Sequence, residues 1–344
     1  MSTIKVLVPD MDAEEVAADV AGPNLSFDVR GVQHVSAISA EDWGDCDAVL
    51  MRNRIVLDRS TIGKLSRCRI IVRAGVGYDN IDIGACAEAG IPVCNVPNYG
   101  TTEIADHAIG LLLYLARGLG SYDERLRADL TGNFNGENVP VVRRLRGGIF
   151  GAVGLGRIGT AVARRASALD MSVLYFDPLL PEGHELGMGF RRAKSLSEVL
   201  SVSDVVSLHM PLNDTTLRLL DANRLGEMKP GAILINIARG KLVDIDAVYD
   251  ALLSGRLGAA GFDVLPSEPP DPSQPLFKAW LDREPWIAGR LALTPHAASY
   301  SDASTSDRRR LSAGMLKDFF EHGLVRNNVN PDWEKFSKEN LLAS

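Results

Sequence analysis

Three side chains in the second half of the chain have the types needed to move a proton and hold an anion. Arg239 closes the run AILINIARG, Glu268 lies in the loop after AAGFDVL, and His296 follows RLALTP. Oxidising a 2-hydroxy acid requires a base for the hydroxyl proton and a cation for the carboxylate. Histidine suits the first task because its charge changes near neutral pH. A carboxylate beside it fixes the imidazole tautomer and favours the charged ring, which can return the proton in the reverse direction. A guanidinium offers planar paired donors to the substrate carboxylate and polarises the adjoining carbonyl. Charge-assisted hydrogen bonds of this kind contribute roughly 1.5–3 kcal/mol each. Taken singly, Arg239 is as well read as a surface residue, Glu268 as a loop charge and His296 as a turn histidine. Their shared position at strand ends selects the chemistry.

A second constellation supplies a redox partner. GAVGLGRIG contains Gly154-x-Gly156-x-x-Gly159, directly after a strand pattern and opening a helical one. The first glycine permits a tight turn, the second lets a pyrophosphate reach the backbone, and the third lets helix and strand pack closely. Amides at the helix start then hold the anion. Asp177 ends SVLYFD about twenty residues on, where a carboxylate accepts from the ribose hydroxyls and repels a 2′-phosphate. No arginine follows in DPLLPEG, so the pattern favours NAD over NADP.

Short β-branched runs alternating with helical periodicity must position these groups, which predicts an α/β fold with parallel sheets. Strands are expected at IKVLVP, DAVLMR, RIIVRA and PVCNVP, and then at GGIFGAVG, SVLYFD, DVVSLHM, GAILINIA, GAAGFDVL and RLALTPH. Helices are expected at DRSTIGKLS, with Asp58 as its cap, and at RIGTAVARRASAL, SLSEVLSV, DIDAVYDALLSGRL and ASTSDRRRLSAGMLKDFFEHG. The run TTEIADHAIGLLLYLARGLGSYDERLRADL keeps helical spacing for about eight turns and reads as one long helix that joins two lobes. The chain therefore reads as two doubly wound domains.

Composition bounds the alternatives. The 344 residues are 46% hydrophobic and 24% charged, ordinary values for a soluble two-domain protein. A formal net charge of −7 argues against a nucleic-acid surface. Cys46, Cys68, Cys86 and Cys94 show no metal-binding spacing and read as buried free thiols in a reducing compartment. No metal is expected. The N-terminus lacks the apolar region of a signal peptide, and AIGLLLYLA is about half a membrane span. A cytoplasmic protein without membrane association is the expectation.

The segments RAGVGYDNID, GLGRIG, NIARGKLVD, GFDVLPSEPP and TPHAA, in that order, resemble the NAD-dependent D-isomer-specific 2-hydroxyacid dehydrogenases over nearly the whole chain. RRLRGGIFGAVGLGRIG and LDREPWIAGRLALTPHAASYS are similar to the bacterial branch related to the C-terminal-binding-protein corepressors. The resemblance implies that Arg239 binds substrate and that Glu268 and His296 form the acid–base pair. It implies that Asp263 fixes the nicotinamide carboxamide. The cofactor site is implied to include Leu155, Gly156, Arg157 and Ile158, then His209, Met210, Pro211 and Thr215, then Ile237, Ala238 and Arg239, and finally His296 and Ala298. Amides of Val76 and Gly77 are implied to help bind the substrate carboxylate, and His107 to pack within the long helix.

The resemblance also implies a flavodoxin-like substrate domain made of residues 1–102 and 298–334, a Rossmann cofactor domain at 103–297 and a tail at 335–344, with a cleft that closes by hinge motion. Homodimers paired through the cofactor domain are the family expectation. Two departures narrow the substrate. Ser299 stands where the corepressors carry tryptophan, and Val76 where phosphite enzymes carry lysine. Arg52 and Arg54 either recognise a second anionic group on the substrate or are solvated. With no long C-terminal extension, a feedback-controlled phosphoglycerate enzyme is a weaker fit. The reading is an enzyme acting on a small 2-oxo or D-2-hydroxy acid; the alternative is an NAD(H)-sensing interaction protein like the corepressors.

Overall fold

The computed structural model describes residues 3–137 and 139–336, so most of the expected tail at 335–344 lies outside the described residues. The chain divides into two compact units, Met1–Gly100 with Tyr300–Ser344, and Thr101–Ser299.

The first unit is built on five parallel strands: β1 (Ile4–Val8), β2 (Leu25–Val29), β3 (Ala48–Met51), β4 (Ile70–Arg73) and β5 (Val93–Asn95). Their order is β2-β1-β3-β4-β5. Strands β3, β4 and β5 are buried throughout, which is why they read as apolar runs up to the polar Arg73 and Asn95 that end β4 and β5. The helix Asp302–His322 returns to this unit, burying Ala313, Met315 and Leu316 among Val6, Leu50 and Ile70. It starts at a capping box between Ser301 and Ser304 and stops at Gly323, whose φ of 68° suits the absence of a side chain.

The second unit carries seven parallel strands: β6 (Ile149–Val153), β7 (Ser172–Phe176), β8 (Arg191–Arg192), β9 (Val205–Leu208), β10 (Ala232–Asn236), β11 (Leu257–Phe262) and β12 (Leu291–Leu293). Their order, β12-β11-β10-β9-β6-β7-β8, reverses between β6 and β9. On one face the helices Thr101–Ala116 and Arg157–Ala168 bury Leu112, Leu115, Val162 and Ala166 against Phe150, Tyr175 and Ile235. On the other, Leu196–Val202 and Ile245–Leu253 bury Val199, Val248 and Leu252 against Val206 and Leu234. Helices on both faces of a parallel sheet explain the scarcity of polar residues in β9 and β10.

Several expectations need correction. The long helix is two helices, Thr101–Ala116 and Leu119–Ala128. Gly118 has φ of 63°, and a side chain there would strike Val139 and Val142, so the chain turns where only glycine fits. The DRSTIGKLS helix is a single turn, Arg59–Ile62, although Asp58 does cap it through the Thr61 amide. The DIDAVYDALLSGRL helix ends at Leu253, two residues before Gly255 with φ of 76°. Two strands lie outside the expected set: β2, a half-exposed edge strand in which apolar and polar residues alternate, and the two-residue β8.

Candidate active site

Because every strand of the second sheet is parallel, the loops after β6, β9, β10, β11 and β12 leave from one edge. Ligands of open α/β sheets bind there, at the point where strand order reverses. In this sheet that point lies between Gly154, after β6, and His209, after β9.

Gly154 has φ of 88°, and a Cβ on it would come within 2.9 Å of the His209 backbone. Gly159 is packed more tightly still, since its Cβ would lie 2.3 Å from the Gly154 carbonyl oxygen. Gly156 differs: a Cβ there would meet nothing within 4 Å. Two glycines are thus demanded by the turn itself, and the third leaves a bare backbone where a ligand can approach. Arg157, exposed, and Ile158 open the helix, and Leu155 is buried beneath it. The Asp177 carboxylate accepts from the Leu155 amide at 2.8 Å and from the Leu179 amide at 3.0 Å, which holds it beside the glycine turn.

His209 tests whether these residues fit a cofactor. Both ring nitrogens are buried without a hydrogen-bond partner, and burial pushes its pKa down to about 3, so the ring is neutral. Orphaned polar atoms at a switch point call for a partner from outside the chain. Together with the open face at Gly156, they fit a bound dinucleotide. Met210 and Pro211 continue the loop, and Thr215 donates to Asn213 Oδ1 through both its amide and its hydroxyl.

The proton-handling groups come from three neighbouring loops. Asn236, buried at the end of β10, donates to the Arg239 carbonyl at 2.8 Å and accepts from the Ala238 amide at 3.0 Å, shaping the turn of Ile237, Ala238 and Arg239. A Cβ on Gly240 would lie 1.9 Å from the backbone of Leu265, so the Arg-Gly pair lets this turn pack directly on the loop after β11. That loop carries Glu268, whose Oε1 accepts from the Leu265 amide at 3.0 Å. Its Oε2 lies 2.7 Å from His296 Nδ1. Partial burial raises the Glu268 pKa, but His296, the Leu265 amide and the Arg239 charge together hold it below the ordinary carboxylate range. Glu268 is therefore ionised, Nδ1 carries the hydrogen, and Nε2 is left to act as the acceptor.

His296 itself has φ of 53°, a left-handed backbone unusual for a non-glycine residue. Its amide donates to the Asp263 carbonyl at 2.8 Å. The Asp263 side chain, 1% exposed, accepts from the Thr294 hydroxyl at 2.6 Å, the Ala297 amide at 2.8 Å and the Ala298 amide at 2.9 Å. Asp263 is thus a clamp on the histidine loop, a function that its sequence position did not reveal. His107, expected only to pack, places Nε2 2.9 Å from Thr294 Oγ1.

Val76 and Gly77 stand in the first unit, after β4, where the Val76 carbonyl accepts from Asn95 at 2.6 Å. In the same unit Arg52 pairs with Glu15 at 2.6 Å and Arg54 lies 3.5 Å from Asp12. The buried Asp10 carboxylate accepts both arginine amides, so this segment is organised by acidic partners.

A doubly wound sheet with a glycine turn at its switch point defines a dinucleotide-binding scaffold, and a histidine–carboxylate pair stands on the same edge. A sequence model of the D-isomer specific 2-hydroxyacid dehydrogenase NAD binding domain matches residues 109–298. The chain belongs to that family, and the matched residues are its NAD-binding domain. It is 35% identical over 333 residues to a D-3-phosphoglycerate dehydrogenase of Archaeoglobus fulgidus, covering 95% of this chain and 59% of the relative, so it spans somewhat over half the length of that protein. A glyoxylate reductase of Korarchaeum cryptofilum is 36% identical over 291 residues, 84% of each chain. Among solved structures, a D-lactate dehydrogenase of Aquifex aeolicus complexed with NAD and lactic acid superposes with a TM-score of 0.82 at 29% identity, covering 94% of this chain and 99% of that one.

Proposed function

We propose that the protein is an NAD-dependent oxidoreductase that interconverts a small D-2-hydroxy acid and its 2-oxo acid. The observation that carries this reading is the 2.7 Å contact of Glu268 with His296 Nδ1, on the sheet edge that holds the glycine turn. NAD, when bound, accepts the hydride from C2 of the hydroxy acid. It would be held by the amides of Leu155–Gly159, by Asp177 on the ribose hydroxyls, and along the segments after β9, β10 and β12, with Asp263 near the nicotinamide end.

His296 Nε2 takes the hydroxyl proton during oxidation and returns it to the carbonyl oxygen during reduction. The Glu268 carboxylate holds Nδ1–H and stabilises the imidazolium that forms. Arg239 binds the substrate carboxylate and polarises the carbonyl. The other unit is assigned the substrate-binding role that family membership implies.

Relatives named for glyoxylate, lactate and phosphoglycerate set the substrate range to be tried. A homodimer formed through the cofactor domain is supported by a groove of about 610 Å³ along helix Thr101–Ala116, where Tyr114, Trp280 and Leu281 are exposed. Four free buried thiols support a cytoplasmic setting, and among the described residues no helix is long and apolar enough to cross a membrane.

The test is NADH oxidation against glyoxylate, hydroxypyruvate, pyruvate, a branched-chain 2-oxo acid, an aromatic one and 3-phosphohydroxypyruvate. Saturable turnover of one acid, with D-product, is the expected result. Bound NADH with no turnover of any acid would instead favour a nucleotide-sensing role.

A further inference from the structure

The His107 side chain has a geometry that the proposed reaction does not use. Its Nε2 lies 2.9 Å from Thr294 Oγ1, and that hydroxyl lies 2.6 Å from Asp263 Oδ1. A hydroxyl has one hydrogen, and a carboxylate oxygen can only accept it. Thr294 therefore donates to Asp263, and His107 must present Nε2–H to the threonine oxygen. The result is a directed chain, His107 Nε2–H to Thr294 Oγ1–H to Asp263 Oδ1, spanning 187 positions between helix 101–116 and the loop after β12.

The far end of that chain is the clamp on the histidine loop. Asp263 Oδ1 also accepts from the Ala297 amide, Oδ2 from the Ala298 amide, and the Asp263 carbonyl from the His296 amide. These bonds hold His296 at its φ of 53°, a conformation that a non-glycine residue keeps only when its surroundings over-determine it. Thr294 enters the loop two residues before His296, so freeing its hydroxyl loosens the entry point. Asp263 is 1% exposed, so water competes poorly at the acceptor end of the chain, while His107 and Thr294 are partly buried.

We propose that His107 is a positioning residue for the acid–base loop, acting through Thr294 and Asp263 on the backbone at His296. It is assigned no contact with substrate or cofactor. Its consequence for turnover rests on His296 being the acid–base group, but its effect on the loop does not.

The test compares His107→Leu, which removes the donor, with His107→Gln, whose amide can donate from nearly the position of Nε2. Thr294→Val and Thr294→Ser form a second pair, should a change at His107 impair folding. The first readout is amide hydrogen exchange at Ala297 and Ala298, which needs no substrate. Exchange at least about tenfold faster in His107→Leu and Thr294→Val, with His107→Gln and Thr294→Ser near wild type, is the expected result. Unchanged exchange in both disruptive variants would overturn the proposal, whatever the enzyme does.

The second readout is turnover per NADH-binding site, with the deuterium isotope effect on kcat from 4-deuterated NADH. A mispositioned loop slows the chemical step, so kcat falls about tenfold, the substrate KM stays within about twofold, and the isotope effect on kcat rises. Turnover per site and an isotope effect that both stay at the wild-type value, even where less folded protein is recovered, would contradict a positioning role. If the wild type turns over no 2-oxo acid, the dehydrogenase reading fails and the exchange experiment still decides the role of His107.

Discussion

The Glu268 carboxylate meets His296 at Nδ1, 2.7 Å away, and this contact decides which ring nitrogen is left for chemistry. Two sequence features make the contact possible. Gly240 lets the Arg239 turn pack on the backbone of Leu265, in the loop that carries Glu268. Asp263 clamps the amides after His296 and so turns the imidazole toward that loop. The site is therefore set more by backbone approach and clamping than by the three reactive side chains themselves.

Glu268 links the site to acid stability. Its folded pKa is lowered below the ordinary 4.5, so it contributes stability that is fully present above that unfolded value. The contribution is lost as pH falls through the lowered folded pKa. Thermal unfolding of Glu268→Gln, scanned from pH 6 down to about pH 3, should therefore converge with wild type at the acid end. Its deficit should be largest at the upper end of that range, and a deficit independent of pH would contradict this role for the carboxylate.

The glycine turn makes a contrast that separates folding from binding. Gly159→Ala forces a Cβ to 2.3 Å from a carbonyl oxygen that cannot yield, so it should cost about 2–3 kcal/mol of stability. Gly156→Ala meets nothing within 4 Å and should unfold like wild type, within about 0.5 kcal/mol. Its NADH dissociation constant should nevertheless rise about tenfold or more, because the methyl occupies the face where the pyrophosphate approaches. Denaturant unfolding and NADH fluorescence titration on both variants check the pair.

Asp177 should govern the choice of dinucleotide. Its carboxylate is fixed by the Leu155 and Leu179 amides at the end of β7. Asp177→Ala should weaken NADH by about 10- to 100-fold, the worth of charge-assisted bonds to ribose hydroxyls. NADPH binding should hold or improve as the repulsion disappears. Titrating both nucleotides gives the ratio, and a parallel loss of both would assign Asp177 to the turn alone.

Much of the site was legible because its signals are local. The three glycines stand within six residues, Asp177 ends a largely apolar run, and Arg239, Glu268 and His296 each follow an apolar strand. What escaped notice depends on contacts distant in sequence. His107 and Thr294 are 187 positions apart, and nothing local to either marks the bond between them. Asn236 read only as part of a strand, although its side chain shapes the Arg239 turn. In the fold, β2 does not stand out because its apolar Leu25, Phe27 and Val29 alternate with Ser26 and Asp28 over only five residues, unlike the continuous apolar runs of the buried strands. The break at Gly118 was missed because helical periodicity continues on both sides of a glycine whose positive φ is set by packing on Val139 and Val142.

If His296 moves the substrate proton, single-turnover NADH oxidation by wild type and His296→Gln on the best 2-oxo acid found will show it. The variant's chemical step should slow by about 10²–10⁴, with the NADH dissociation constant within about threefold of wild type. A variant that keeps the wild-type rate, or that loses NADH binding as steeply as it loses rate, would contradict it.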